Sequence, residues 1–249
     1  MYELYHGDCL EILPGINQEI ECIFADPPDN IGLGYDGVDD NLPESDYLHL
    51  LEEWLYMSVG LANTVWFSFN AKWTIKMGAI TERVLGCWRG LECKPCVQTF
   101  TFGQHNKHDF GNNHRPLWRF THPDAVVYPD SIRIESERQK MGDKRADPRG
   151  KVPGDVFDFC EGSVFDFTRV TGNSGQRRKW HKTQLNEGLV ERCIRSCTKP
   201  GDIVVDPFAG TGTTLRVCKS ILRSCITMDL SEVYCQQIAD EHQLEIRSA

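Results

Sequence analysis

The chain has 249 residues, 40% of them hydrophobic and 25% charged, which suits one packed α/β unit with an inserted lobe and is short for two independent domains. No apolar run reaches the roughly 20 residues of a membrane span, and Met1-Tyr2-Glu3-Leu4 lacks the basic-then-apolar pattern of a secretory leader, so a cytoplasmic protein is expected. The net charge of −9 argues against a uniformly basic surface, yet residues 131–182 hold 12 Lys/Arg against 8 Asp/Glu, whereas residues 1–130 hold 8 against 19.

In chain order, Glu3–His6 reads as a short strand closed by Gly7-Asp8, and Cys9–Ile16 as a helical turn or two broken by Pro14 and Gly15. Glu21-Cys22-Ile23-Phe24-Ala25 is a buried-strand run stopped by Asp26-Pro27-Pro28. Residues 30–43 are loop, and Glu44–Ala62 has helical spacing of Tyr47, Leu48, Leu51, Trp54, Leu55 and Val59. A strand over Thr64–Phe69 and a helix over Thr74–Leu85 follow. Val97–Phe102 and Ala125–Tyr128 look like strands with loops rich in aromatic, His, Asn, Gly and Arg residues between and after them, and the polar, proline- and glycine-bearing residues 135–155 look like a mobile or ligand-ordered loop. Leu185–Thr198 is helical, then come strand Ile203–Val205, a glycine-rich turn, a helix from Thr213 to Ile221, strand Ser224–Met228 and a last helix Glu232–His242.

Strands that alternate with helices and are continuously apolar imply a mostly parallel sheet with helices on both faces. Ligands in such sheets sit at the carboxyl ends of the strands, where Asp26–Asp29, Asp206–Thr214 and Asp229 all fall. The eleven cysteines are odd in number and lie largely in apolar segments, so buried free thiols are expected. Cys93-Lys94-Pro95-Cys96 lacks the second pair of a zinc site, and no metal is expected.

Ile203-Val204-Val205-Asp206-Pro207-Phe208-Ala209-Gly210-Thr211-Gly212-Thr213-Thr214 is strand, tight turn and helix start. Two glycines let the backbone approach a ligand closely, and no Lys follows them to cradle a triphosphate. Asp229, at the end of the next strand, is placed to accept hydrogen bonds from ribose hydroxyls. A nucleoside cofactor without a pyrophosphate fits, namely S-adenosylmethionine. Asp26-Pro27-Pro28-Asp29 is a rigid turn that presents a carboxylate and carbonyl oxygens, a pair able to accept both hydrogens of an amino group.

The chain resembles the DNA amino-methyltransferases that modify adenine at its 6-amino group or cytosine at its 4-amino group, in the permuted β-type arrangement. Gly7-Asp8-Cys9-Leu10 resembles the segment that meets the cofactor adenine, and Asp26-Pro27-Pro28-Asp29 the catalytic D-P-P-Y. Asn30-Ile31-Gly32-Leu33-Gly34-Tyr35 resembles the loop that follows it, and His181-Lys182-Thr183-Gln184-Leu185 the segment that cups the methionine end. Asp206–Thr214 matches D-P-F-x-G-x-G-T-T, and Asp229 takes the ribose position. The resemblance implies a Rossmann-like fold over residues 1–249 as one domain, with residues 105–180 as an inserted target-recognition region. It implies a cofactor site of Asp8, Cys9, Asp26, His181, Thr183, Gln184, Asp206, Phe208, Ala209, Gly210, Thr211, Gly212, Thr213, Thr214 and Asp229, and a catalytic turn of Asp26, Pro27, Pro28 and Asp29.

Two departures stand out. Asp29 occupies a position that is aromatic in the family and stacks on a flipped base, so either another ring serves, with Tyr35, Trp118 and Trp180 as candidates, or the base is held less firmly. The His181 segment lacks the family's prolines. DNA is the expected partner, with Tyr35, Arg133, Arg138, Arg177, Arg178 and Lys179 as contact candidates and Asn112–Arg115 as candidate readers of base edges. Adenine is the expected target; cytosine 4-amino transfer and a noncatalytic nucleic-acid-binding relative are the alternatives, and the oligomeric state, monomer or homodimer, stays open.

Overall fold

The protein is described from a computed structural model that covers residues 1–100, 107–158, 170, 172 and 174–248. In chain order its elements are β1 (Tyr2–His6), α1 (Cys9–Ile12), β2 (Ile20–Ala25), α2 (Glu44–Leu61), β3 (Ala62–Ser68) and α3 (Thr74–Cys87). The middle holds β4 (Glu92–Lys94), β5 (Val97–Thr99), β6 (His114–Thr121), α4 (Glu137–Lys140) and β7 (Val156–Phe157). The last third holds α5 (Glu187–Cys197), β8 (Ile203–Asp206), α6 (Thr213–Ser220), β9 (Ser224–Asp229), α7 (Glu232–His242) and β10 (Ile246–Ser248).

Along β2 the side chains alternate between two cores: Cys22 and Phe24 face one, Ile23 and Ala25 the other. The first core is closed by α5, α6 and α7, the second by α1, α2 and α3. Helix α2 has no side-chain cap at Pro43, a loss of about 1 kcal/mol. Its buried Tyr47, Leu51, Leu55 and Val59 contribute about 1.5–3 kcal/mol each, so packing decides the helix.

The sheet runs β10-β1-β9-β8-β2-β3-β6-β5-β7. β1, β2, β3, β8, β9 and β10 are mutually parallel, and β6 lies antiparallel to β3. β4 and β5 both pair with β6, at its two ends, and Pro95-Cys96 separates them. The chain leaves β8 towards β9 but leaves β2 towards β3, so the strand order reverses between β8 and β2. That reversal opens a crevice at their carboxyl ends.

Several expectations need correction. β6, where a loop was expected, is the strand that turns the sheet antiparallel, and β10 extends the far edge. Ala125–Tyr128 is not a strand: the Tyr128 N–H donates to the Ser196 carbonyl at 2.8 Å, and Val126 and Val127 are exposed. Residues 101 and 102 of the strand expected over Val97–Phe102 lie outside the described residues, and β5 ends at Thr99. The segment 135–155 is held by its own bonds. Ile134 and Lys151 exchange backbone hydrogen bonds, Ser136 and Gln139 form a capping box, and Arg133 donates to the Gly150 carbonyl. The residues before this segment, Tyr128 and Ser131, dock on the last turn of α5, through Tyr128 N to the Ser196 carbonyl and Ser131 Oγ to the Arg195 carbonyl. No helix among the described residues is long and apolar enough to cross a membrane.

Candidate active site

The parallel register places the chemistry. Cys22 pairs with Val204 and Ile23 with Val205, so Asp26 and Phe208 emerge at the same level from neighbouring strands. His6 pairs with Asp229, which brings Gly7-Asp8 to the same edge. The Phe208 ring packs edge-on against Trp54 of α2 at 5.1 Å. The two-proline turn and the double-glycine turn therefore flank one crevice at the strand reversal.

The glycine-rich turn is bound tightly by its own main chain. Phe208 N donates to Asp206 Oδ1 at 3.0 Å, Ala209 N to the Met228 carbonyl at 2.9 Å, and Gly210 N to Asp229 Oδ2 at 2.8 Å. Gly212 adopts φ 72° as the residue before α6, and a Cβ there would press on Ile238 at 3.3 Å. The Thr211 and Thr213 hydroxyls bond each other, and Arg216 holds both residues, donating to the Thr211 carbonyl and to Thr213 Oγ1. Thr211, Thr213 and Thr214 are buried, so their hydroxyls shape the turn from behind. Asp8 caps α1 by accepting from Leu10 N, while the Cys9 side chain packs into the second core and offers the crevice only its main chain.

Burial pushes the Asp206 carboxyl up to about 7, against hydrogen bonds from Thr214 and Phe208 N that lower it. Burial likewise pushes Asp229 up to about 6, although Ser231 N and Gly210 N donate to it. Two desolvated acids facing one crevice are the counterpart that a cationic ligand lacks in water.

The Asp26–Asp29 turn is held from three sides. Tyr47 Oη donates to the Pro28 carbonyl at 2.6 Å, Trp73 Nε1 to the Asp29 carbonyl at 2.8 Å, and Asp40 Oδ1 accepts from Asn30 N at 2.7 Å. No hydrogen bond engages the Pro27 carbonyl among the described residues. Sequence reasoning set Arg115 among the candidate readers of base edges and missed its bond to the two-proline turn. Its Nη1 and Nη2 grip both oxygens of Asp29 at 2.7 and 3.0 Å, Nη2 also reaches Asp26 Oδ1 at 2.7 Å, and Nε donates to Ser68 Oγ at 2.6 Å. Burial lowers the Arg115 pKa, but Asp29 and Asp26 outweigh it and drive it upward. Arg115 is thus an internal counter-ion and not a reader of base edges, and Asp29 points inward to it.

Two segments cover the crevice. Tyr35 Oη hydrogen-bonds Thr183 Oγ1 at 3.2 Å, and its ring lies 5.4 Å from that of His181. The His181 ring lies where a Cβ on Gly210 would meet Nε2 at 3.3 Å, and burial lowers its pKa. The loop after the two-proline turn is anchored on α7 by Ser231 Oγ to Asp36 Oδ2 and by Asp36 N to Tyr234 Oη. Of the candidate rings, Trp118 is buried edge-on against Phe69 and Trp180 packs on Tyr234. Tyr35 stands closest to the acids: burial first, then Asp29 and Asp26, raise its hydroxyl to about 12.

Other expected contacts are engaged elsewhere. The Gln184 side chain accepts from Arg178 N and donates to the Gln176 carbonyl. Arg177 donates to the His181 and Lys182 carbonyls, and Arg178 pairs with Glu241. Arg133 pairs with Asp130, and Arg138 and Lys179 are exposed.

Comparison with known proteins agrees with this geometry. The family model described as DNA methylase matches residues 20–240. Type II methyltransferase M.HpaI of Haemophilus parainfluenzae is 31% identical over 222 residues, 87% of this chain, which spans 66% of that protein. DNA adenine methyltransferase YhdJ of Escherichia coli K12 is 30% identical over 245 residues, 93% of this chain and 79% of YhdJ. The fold is that of the crystal structure of the M1.HpyAVI–SAM complex, with a TM-score of 0.65, 20% identity, and 98% of this chain and 100% of that one covered. With its two motif-bearing turns at one crevice and a family match over most of its length, the chain belongs to the DNA methylase family.

Proposed function

We propose that this chain transfers a methyl group from S-adenosylmethionine to the 6-amino group of adenine in DNA. The carrying observation is that Asp26 and the Pro27 carbonyl stand beside the glycine-rich turn at the strand reversal. The residues fit the cofactor: Asp229 suits ribose hydroxyls, the desolvated Asp206 and Asp229 suit its positive charge, and Gly210 and Gly212 keep the wall free of side chains. Asp8 and the main chain of Cys9 lie at the strand end beside Asp229, where the adenine ring would sit. His181 and Thr183 close the crevice from above. When bound, S-adenosylmethionine supplies a methyl group made electrophilic by the attached sulfonium.

The chain's own residues then act on the target amine. An exocyclic base amine is a weak nucleophile because its lone pair is delocalised into the ring. Asp26 and the Pro27 carbonyl accept its two hydrogens, which orients the nitrogen and favours a localised lone pair. The two prolines and the bonds from Tyr47 and Trp73 keep the acceptors fixed in advance of binding. Tyr35 is the ring placed to flank a base brought out of the duplex stack. Adenine is favoured over cytosine by Asp at position 26 and by the similarity to YhdJ, a DNA adenine methyltransferase. DNA meets the carboxyl edge, with the exposed Lys179 as a phosphate contact.

Asp26→Ala is expected to abolish transfer of tritium from labelled cofactor to DNA, a loss beyond about 1000-fold, with cofactor affinity held within about threefold by calorimetry. Parallel loss of both would assign Asp26 a folding role instead.

A further inference from the structure

We infer that Arg115 is a positioning residue for methyl transfer, and that Asp29 stands in this chain as the counter-anchor that holds Arg115 on Asp26. The inference rests on the reading of Asp26 as the acceptor of the amine hydrogens, and adds what sets its carboxylate.

Arg115 lies at the start of β6, opposite the end of β3, where its neighbour Pro116 accepts from Phe69 N. From there its guanidinium reaches the two-proline turn across the sheet edge. Both hydrogens of Nη2 are engaged, one by Asp26 Oδ1 at 2.7 Å and one by Asp29 Oδ1 at 3.0 Å. Nη1 completes the fork on Asp29 at 2.7 Å, and Nε is tied to Ser68 at 2.6 Å. A planar group held at three points cannot turn without breaking a charge-assisted bond. It therefore tethers Oδ1 of Asp26 and leaves Oδ2 for the amine. The side chains are 20%, 27% and 10% exposed for Arg115, Asp26 and Asp29, so water competes little with these bonds.

Asp29 contributes differently from a ring at this position. Two carboxylates three residues apart in a rigid turn repel each other. One guanidinium between them removes the repulsion and orders both. Without Asp29, Arg115 loses its bidentate partner and the Asp26 carboxylate its orientation. Without Arg115, the acids are left facing each other.

Single-turnover transfer to DNA separates positioning from simple structural support. Arg115→Ala is expected to slow the step about 100-fold, with cofactor and DNA dissociation constants within about threefold of wild type. Millimolar guanidinium should restore part of the rate in Arg115→Ala and none in Asp26→Ala. Adding Asp29→Ala to Arg115→Ala should cost little more, because the two act as one unit. If Arg115→Ala does not fold, Arg115→Lys takes its place. It keeps the charge, loses the fork, and is expected to be about tenfold slower at an unchanged melting temperature. A wild-type single-turnover rate in either variant overturns the inference, as does a loss of rate that tracks loss of cofactor affinity and melting temperature. Absence of transfer by the wild-type protein itself would overturn the underlying reading instead.

Discussion

Asp206 ends β8 with burial pushing its carboxyl up to about 7, and Asp229 ends the neighbouring β9 with its carboxyl pushed up to about 6. Both values lie above the ordinary 3.8 of an aspartate, so the folded protein without ligand holds protons there that the unfolded chain has released. Their contribution to stability is complete below about pH 4 and is lost as the pH rises through 6 to 7. A cationic cofactor reverses the sense, because it favours the ionised acids and binds more tightly as the pH climbs through the same window. The melting temperature of the free protein is therefore expected to fall between about pH 4 and 7 through these groups, while the rise on adding S-adenosylmethionine grows. Asp206→Asn removes the larger of the two titrations and should flatten the first trend. Melting curves of wild type and Asp206→Asn that stay parallel across this range would contradict the assignment.

At the scale of elements, the sequence shows most where geometry is written in local letters. Asp26-Pro27-Pro28-Asp29 stops a strand because proline cannot continue it, and Gly210 and Gly212 mark a turn because their φ values of 50° and 72° disfavour other residues. Continuous apolar runs such as Glu21–Ala25 and Ile203–Val205 expose the buried parallel strands, and Asp229 follows from the spacing of the next one. What stays illegible depends on pairing between distant segments. Arg115 reads as a polar loop residue until β6 is set against β3, with Phe67 opposite Trp118 and Ser68 opposite Leu117. Ala125–Tyr128 has the apolar letters of a strand but pairs with no strand among the described residues. Residues 135–155 have loop composition, yet specific bonds order them. Gly150 is central there: φ is 90°, and a Cβ would lie 2.3 Å from the Ile134 carbonyl oxygen. Gly150→Ala is expected to destabilise this segment by about 2–3 kcal/mol and open it to protease, while the transfer rate stays within about twofold of wild type. A large loss of transfer would place this segment in the working site.

At the scale of the molecule, strands of about six residues separate the two edges of the sheet by roughly 20 Å. The basic segment around Arg138, Lys144 and Arg145 follows Ser131, which is bound to the end of α5, and many of its charges are matched locally, as in Arg145 with Asp143 and Arg149 with Asp147. The crevice opens at the carboxyl edge, where Tyr35 and His181 lie. The central claim is that Asp26 presents an adenine amine to the cofactor beside the glycine-rich turn. Its most direct test is incubation of the purified protein with labelled S-adenosylmethionine and DNA, followed by digestion to nucleosides and mass spectrometry. The account predicts label on the 6-amino group of adenine with wild type and none with Asp26→Ala. Label on the 4-amino group of cytosine would contradict the choice of base, and no label on any duplex or single strand would contradict the account as a whole.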